Sequence, residues 1–135
     1  MTASVRDFPS TPDLELLDEV YDYIVANPEL WDQQCWRSRC GTKFCFAGTV
    51  AQVVGARWAD VNWRDEGPDA GYRNGAGYQD IRVDDGWMHV EDFARQRLGI
   101  TVDEARELFD GLNNLDMLRQ AVELIHANAE QLSEV

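Results

Sequence analysis

The sequence has little positive charge, little histidine and no long hydrophobic run. Its 135 residues include 12 lysines and arginines against 25 aspartates and glutamates, a formal net charge of −13, and two histidines. Such a charge repels DNA, RNA and anionic lipid, so we expect no direct binding to nucleic acid or membrane. The apolar runs fall short of the roughly 18 residues that span a bilayer, and the N-terminus has no signal-peptide pattern. We therefore expect a single cytoplasmic domain.

Cysteine is also scarce, and the three residues present are Cys35, Cys40 and Cys45. An odd number in a chain without a secretory signal favours reduced thiols over a disulfide framework. A metal site made of these cysteines with His89 or His126 as the fourth ligand is an alternative, but residues five apart on one helix point to different faces. The sequence therefore predicts no metal and no cofactor.

Apolar residues recur at helical spacing through most of the chain and predict a mainly α (α+β) fold of about five helices. Residues 1–10 are expected to form a loose leader, and 11–135 a single helical domain. The segment of about 43–54 is apolar on nearly every side, with Thr42 as its expected N-cap, and should lie at the centre of the fold. The other four helices are predicted from Thr11 as N-cap to Asn27-Pro28, from about Trp87 to Gly99, from the capping box Thr101/Glu104 to Asp110-Gly111, and from about 115 to 132.

The segment of about 57–85 differs, because glycine and turn residues interrupt the helical spacing. Asn74-Gly75 supplies the positive φ angles of a tight hairpin turn, and Ile81 and Val83 alternate with polar neighbours as in a strand. These features predict a small β-hairpin insertion between the second and third helices. A glycine-rich loop is the alternative interpretation of the same residues.

A short cationic segment interrupts this anionic chain, because residues 33–59 contain no aspartate or glutamate. The unpaired N–H groups at the start of a helix favour negative charge. A helix that starts in this segment would therefore favour a small anion or a nucleotide, as an alternative to a purely structural role. The candidate anion-binding residues are Arg37, Arg39, Thr42 and Lys43.

The same positive potential would lower the pKa of a thiol, so Cys40, expected just before the helix, is a candidate nucleophile. A nucleophile needs a base, and His89 could supply one with Glu91 or Asp92 as its orienting carboxylate. Cysteine also packs as a small apolar residue, and Cys45, between two phenylalanines, is expected to do so. We therefore assign no catalytic residue and keep Cys40, His89 and Asp92 as the alternative.

Aromatic residues in and around the 57–85 segment indicate a contact surface for a protein. Large aromatic side chains on loops are typical anchors of protein–protein interfaces, and the acidic surface would steer this protein toward a basic patch on its partner. A DNA mimic is a further alternative, although the acids are spread along the chain rather than gathered in one block. The candidate partner-binding residues are Trp58, Trp63, Tyr72 and Tyr78.

Several short stretches form a recognisable pattern over roughly 21–125. They are Asn27-Pro-Glu-Leu-Trp31, Trp36, Cys40-Gly-Thr-Lys-Phe-Cys-Phe-Ala-Gly48, Leu98-Gly-Ile-Thr101 and Glu104-Ala-Arg-Glu-Leu-Phe109. Together they resemble a family of small proteins from actinobacteriophages and their hosts, and the Cys-Gly-Thr-x-x-Cys-x-Ala-Gly part is the most specific. Many such phage proteins are accessory factors that act on host proteins. The resemblance implies a setting rather than a reaction, and it favours a non-enzymatic protein that binds a host or phage protein in the bacterial cytoplasm.

Overall fold

The described part of the chain forms five α-helices and two short β-hairpins. The computed structural model describes residues 12–36, 43–59, 72–73, 76–77, 79–84 and 86–133. This arrangement confirms the predicted mainly α fold with a small β insertion. The elements are α1 (Leu14–Ala26), a 3₁₀ turn (Pro28–Leu30), α2 (Phe46–Val53), β1 (Tyr72–Arg73), β2 (Ala76–Gly77), β3 (Asp80–Val83), β4 (Gly86–His89), α3 (Val90–Leu98), α4 (Val102–Phe109) and α5 (Leu115–Ser133).

The first helix, α1, begins after Asp13 and not at the predicted N-cap. The Asp13 carboxylate accepts the backbone N–H of Leu16 at 3.0 Å, and the Asp13 backbone N–H donates to the carbonyl of Leu98 at 2.7 Å. This contact anchors the start of α1 to the end of α3, and it assigns the N-cap to Asp13. Thr11, the predicted N-cap, lies outside the described residues.

The helix α2 lies at the centre of the fold, as predicted, where it packs against α1, α3 and α4. It starts at Phe46 rather than near position 43, because Phe44 is held in an extended pairing. The Phe44 N–H donates to the carbonyl of Leu30 at 3.1 Å, and the Phe44 carbonyl accepts the N–H of Asp32 at 3.0 Å. The N-cap is therefore Cys45 and not Thr42, which lies outside the described residues. The first six residues of α2, from 46 to 51, are all buried.

The predicted end of α3 and the predicted start of α4 are both confirmed. Gly99 ends α3 at a positive φ of 69°, and Thr101 and Glu104 form the predicted capping box at the start of α4. Core side chains from all five helices then pack together. The largest fully buried ones include Leu17, Ile24, Phe46, Leu98, Leu108, Leu118 and Ile125.

Two antiparallel hairpins make up the β insertion. Arg73 pairs with Ala76 across the predicted Asn74-Gly75 position, which confirms a hairpin there. The second hairpin, β3–β4, pairs Arg82 with Trp87, and Asp84 after β3 has a positive φ of 46°. The prediction that helices return from Trp87 was wrong, since pairing with β3 holds residues 86–89 in strand β4 and delays α3 to Val90.

Candidate functional site

The side chain of Gln33 holds the N-terminal end of α2. Its Oε1 accepts the backbone N–H of Phe46 at 3.1 Å and the Trp31 indole N–H at 2.8 Å. Its Nε2 donates to the carbonyls of Leu108 at 2.9 Å and Asp110 at 3.1 Å. This amide, only 7% exposed, therefore joins the start of α2 to the end of α4.

The thiol of Cys45 completes the cap of α2. Its Sγ accepts the backbone N–H of Gly48 at 3.4 Å, and its carbonyl accepts the Thr49 N–H at 2.9 Å. Burial raises the pKa of the Cys45 thiol from 9.0 to about 12, outweighing the N–H donors that lower it. A thiol held so firmly in its protonated form is a poor nucleophile at neutral pH. The first-turn N–H groups of Phe46, Gly48 and Thr49 all have partners within the protein.

The predicted anion site and the nucleophile Cys40 depended on a helix that starts near Thr42. The structure starts α2 at Phe46, so the helix start does not follow Cys40 directly. Lys43 is exposed, just before the paired residue Phe44. Arg37, Arg39, Cys40 and Thr42 lie outside the described residues, and their predicted roles stay predictions.

His89 serves as the N-cap of α3. Its Nδ1 accepts the backbone N–H of Glu91 at 3.1 Å, so in the neutral ring the proton is on Nε2. Its ring packs edge-on against the Trp36 indole with centroids 4.8 Å apart. Of the two predicted orienting residues, Asp92 is exposed on α3, and Glu91 contacts the His89 ring through its backbone N–H.

Trp36, next to Cys35 in the chain, contacts both α2 and α3. Its Nε1 donates to Glu91 Oε2 at 2.8 Å. Its carbonyl lies so close to Gly48 that a Cβ built on this glycine would be 2.1 Å from the oxygen. Only glycine leaves room for this approach, which gives Gly48 of the 40–48 pattern a structural role. Cys35, half-buried beside Trp36, accepts the Cys45 N–H through its carbonyl at 2.6 Å.

The predicted partner-binding aromatics are placed only in part. Trp58 is half-buried and stacked on Phe44 with centroids 5.8 Å apart, and its backbone bridges to Ile81. The sequence predicted that Trp58 projects from a loop. In the structure it packs against the core instead. Trp63 and Tyr78 lie outside the described residues, and Tyr72 is described only through its backbone in β1.

An exposed tryptophan that the sequence analysis did not select lies on β4. Trp87 is 39% exposed, and the guanidinium of Arg82 lies 5.2 Å from the centroid of its ring. The two residues face each other across the hairpin, so both side chains emerge on the same face. The sequence signal that could have identified Trp87 was the alternation of buried and exposed positions along the two strands. Ile81 is buried, whereas Arg82 and Trp87 are exposed.

Two surface clefts could also hold a ligand. A cleft of about 380 Å³ between α3 and α4 is lined by both charged and apolar side chains, including Asp92, Arg106 and Phe109. A groove of about 610 Å³ lies between Trp31 and the loop around Leu112. Among the described residues, no group of three or more His, Cys, Asp or Glu side chains could hold a metal ion. No helix in the described ranges is both long and apolar enough to cross a membrane.

Comparison of the chain with known protein families, with curated proteins and with solved structures gave no match.

Proposed function

We propose that this chain is a non-enzymatic accessory protein that binds a host or phage protein in the bacterial cytoplasm. The observation that carries the proposal is the exposed indole of Trp87, with the Arg82 guanidinium packed over it on the β3–β4 hairpin. Tryptophan and arginine are the residue types that most often dominate the energy of protein interfaces. Stacking also restrains both side chains before binding, which lowers the entropy lost when a partner orders them.

The charge of the chain supports a partner with a basic patch. A net charge of −13 on 135 residues attracts a positively charged surface and speeds the encounter at low ionic strength. Burial raises the pKa of the Cys45 thiol to about 12, so this cysteine is unsuited to act as a nucleophile at neutral pH. The resemblance to phage accessory proteins is consistent with this role.

The test is capture of a partner from an actinobacterial host lysate with the tagged full-length chain. Trp87→Ala is expected to weaken capture at least about tenfold, since truncating an interface hot spot costs about 2 kcal/mol or more. Leu112→Ala is the matched control, because Leu112 is 77% exposed but lies on the loop between α4 and α5. Raising the salt from about 0.1 M to about 0.5 M should also weaken capture. Equal capture by Trp87→Ala and by the control would refute the proposed surface.

A further inference from the structure

The hydrogen-bond register of the β3–β4 hairpin sets which backbone groups face away from it. The Val90 N–H donates to the carbonyl of Gln79 at 2.8 Å, which marks Asp80–His89 as a non-hydrogen-bonded pair. Because the two kinds of pair alternate along an antiparallel ladder, the pair Arg82–Trp87 is also non-hydrogen-bonded. The backbone N–H groups of Trp87 and His89 therefore point away from β3.

On its other side, β3 is already paired. The Arg82 N–H donates to the carbonyl of Arg57 at 2.9 Å, and the Ala59 N–H donates to the carbonyl of Asp80 at 3.0 Å. Residues 57–59 thus extend the hairpin beyond β3, and in the described ranges β4 is the edge of this small sheet. The edge presents the N–H and carbonyl of Trp87 and the N–H of His89.

We propose that the outer edge of β4 binds an extended, basic segment of the partner protein as an added antiparallel or parallel strand. This inference rests on the proposed function and specifies its binding mode. An edge strand with outward N–H and carbonyl groups is a template for an incoming strand, whose main-chain hydrogen bonds supply the affinity. The exposed Trp87 ring would pack beside alternate side chains of that strand.

The charges around β4 determine the chemistry of the occupant. Asp84 is exposed at the turn end of the hairpin, and Glu91 and Asp92 follow the other end of β4 on α3. Among the nearby cations, Arg82 is one strand inward and already lies over the Trp87 ring, and Arg95 and Arg106 line the cleft between α3 and α4. A segment with lysine or arginine near both of its ends and apolar residues between them complements this arrangement. A second copy of the chain carries the same net charge of −13, so it would be repelled from this edge.

Backbone amide exchange in the ¹⁵N-labelled full-length chain tests this inference. In the free protein the Met88 N–H, which bonds to β3, should exchange slowly, whereas those of Trp87 and His89 should exchange fast. The probe is a capped peptide with lysines at both ends and valines between them, and its control is the same peptide with glutamate in place of lysine. The basic peptide is expected to slow exchange at Trp87 and His89 at least about tenfold, and the acidic peptide to leave both unchanged.

Three results would overturn the inference. One is unchanged exchange at Trp87 and His89 with the basic peptide, and another is equal protection by the acidic peptide. The third is protection that grows with protein concentration alone, because the edge then belongs to a second copy. If Trp87→Ala abolishes partner capture although the edge amides gain no protection, the proposed function stands and the strand addition fails. If the edge amides gain protection but Trp87→Ala leaves partner capture unchanged, the strand addition stands and the proposed Trp87 surface fails.

Discussion

The Oε1 of Gln33 accepts the backbone N–H of Phe46 at 3.1 Å, and through this bond one side chain connects two distant helix ends. The Gln33 Nε2 simultaneously donates to the carbonyl of Leu108, 75 residues further along the chain. A helix leaves its first N–H groups and last carbonyls without intrahelical partners. Gln33 satisfies groups of both kinds, at the start of the central helix α2 and at the end of α4.

Gln33→Ala is therefore expected to lower the free energy of unfolding by about 2–4 kcal/mol, because it leaves the buried Phe46 N–H without its partner and removes a donor from the carbonyls of Leu108 and Asp110. Gln34→Ala is the neighbouring control, since this side chain is exposed and should cost less than about 0.5 kcal/mol. Urea denaturation of both variants measures the difference. Equal midpoints would contradict the role assigned to Gln33.

Gly48→Ala should destabilise the protein by about 2–3 kcal/mol, because the new Cβ would overlap the Trp36 carbonyl and force the two segments apart. The added Cβ would lie 2.1 Å from the Trp36 carbonyl oxygen, a backbone atom that cannot rotate away as a side chain can. Gly86→Ala is the control, as the nearest atom to its added Cβ would be the Val83 carbonyl oxygen at 4.0 Å. Thermal melting compares them, and a larger loss for Gly86→Ala would contradict this account.

The stability of the fold should fall as the pH rises above about 9, because of Cys45. The pKa of this thiol is 9.0 in its unperturbed state and about 12 in the folded protein. The unfolded thiol therefore loses its proton first, and the folded state loses about 3 kcal/mol relative to it by about pH 11. Cys45→Ser removes this ionisation and retains a capping oxygen for Gly48, so its stability should depend less steeply on pH over the same range.

Alkylation gives an independent check on the same thiol. Iodoacetamide at mildly alkaline pH should leave Cys45 unmodified in the native protein and modify it in urea, since the reactive species is the thiolate. Peptide mass mapping distinguishes the three cysteines. Rapid native modification of Cys45 would contradict its burial.

Cys40→Ser and Trp63→Ala separate the binding function from thiol chemistry, although both positions lie outside the described residues. We expect Cys40→Ser to leave partner capture unchanged and Trp63→Ala to reduce it at least about tenfold, as for an interface anchor. Quantitative capture against the wild-type chain measures both. Loss of capture in Cys40→Ser alone would favour the cysteine-centred alternative.

Local signals in the sequence were sufficient for most helices. The Thr101/Glu104 capping box and Gly99 act within one turn of the residues they cap, so α3 and α4 end and begin where those signals predict. The same holds for the Asn74-Gly75 hairpin. The start of α2 was wrong by three residues because it depends on pairing between Phe44 and residues 30–32, which no local pattern at 43–46 reveals.

The exposure of two tryptophans also depends on tertiary contacts rather than on local sequence signals. Trp58 and Trp87 are the same residue type in neighbouring segments, yet one stacks on Phe44 in the fold and the other is exposed beside Arg82. Their exposure follows from strand register, in which a shift of one residue exchanges the buried and exposed faces.

By itself, the sequence determined the helical class, the central position of the apolar segment and the acidic surface, because these depend on composition and on spacing within a few residues. Only the tertiary structure decided which side chain holds the start of α2, which carbonyl approaches Gly48 and which edge of the hairpin stays open in the described ranges. Those features depend on contacts between residues far apart in the chain, such as Gln33 with Leu108, and they form only when the elements pack together.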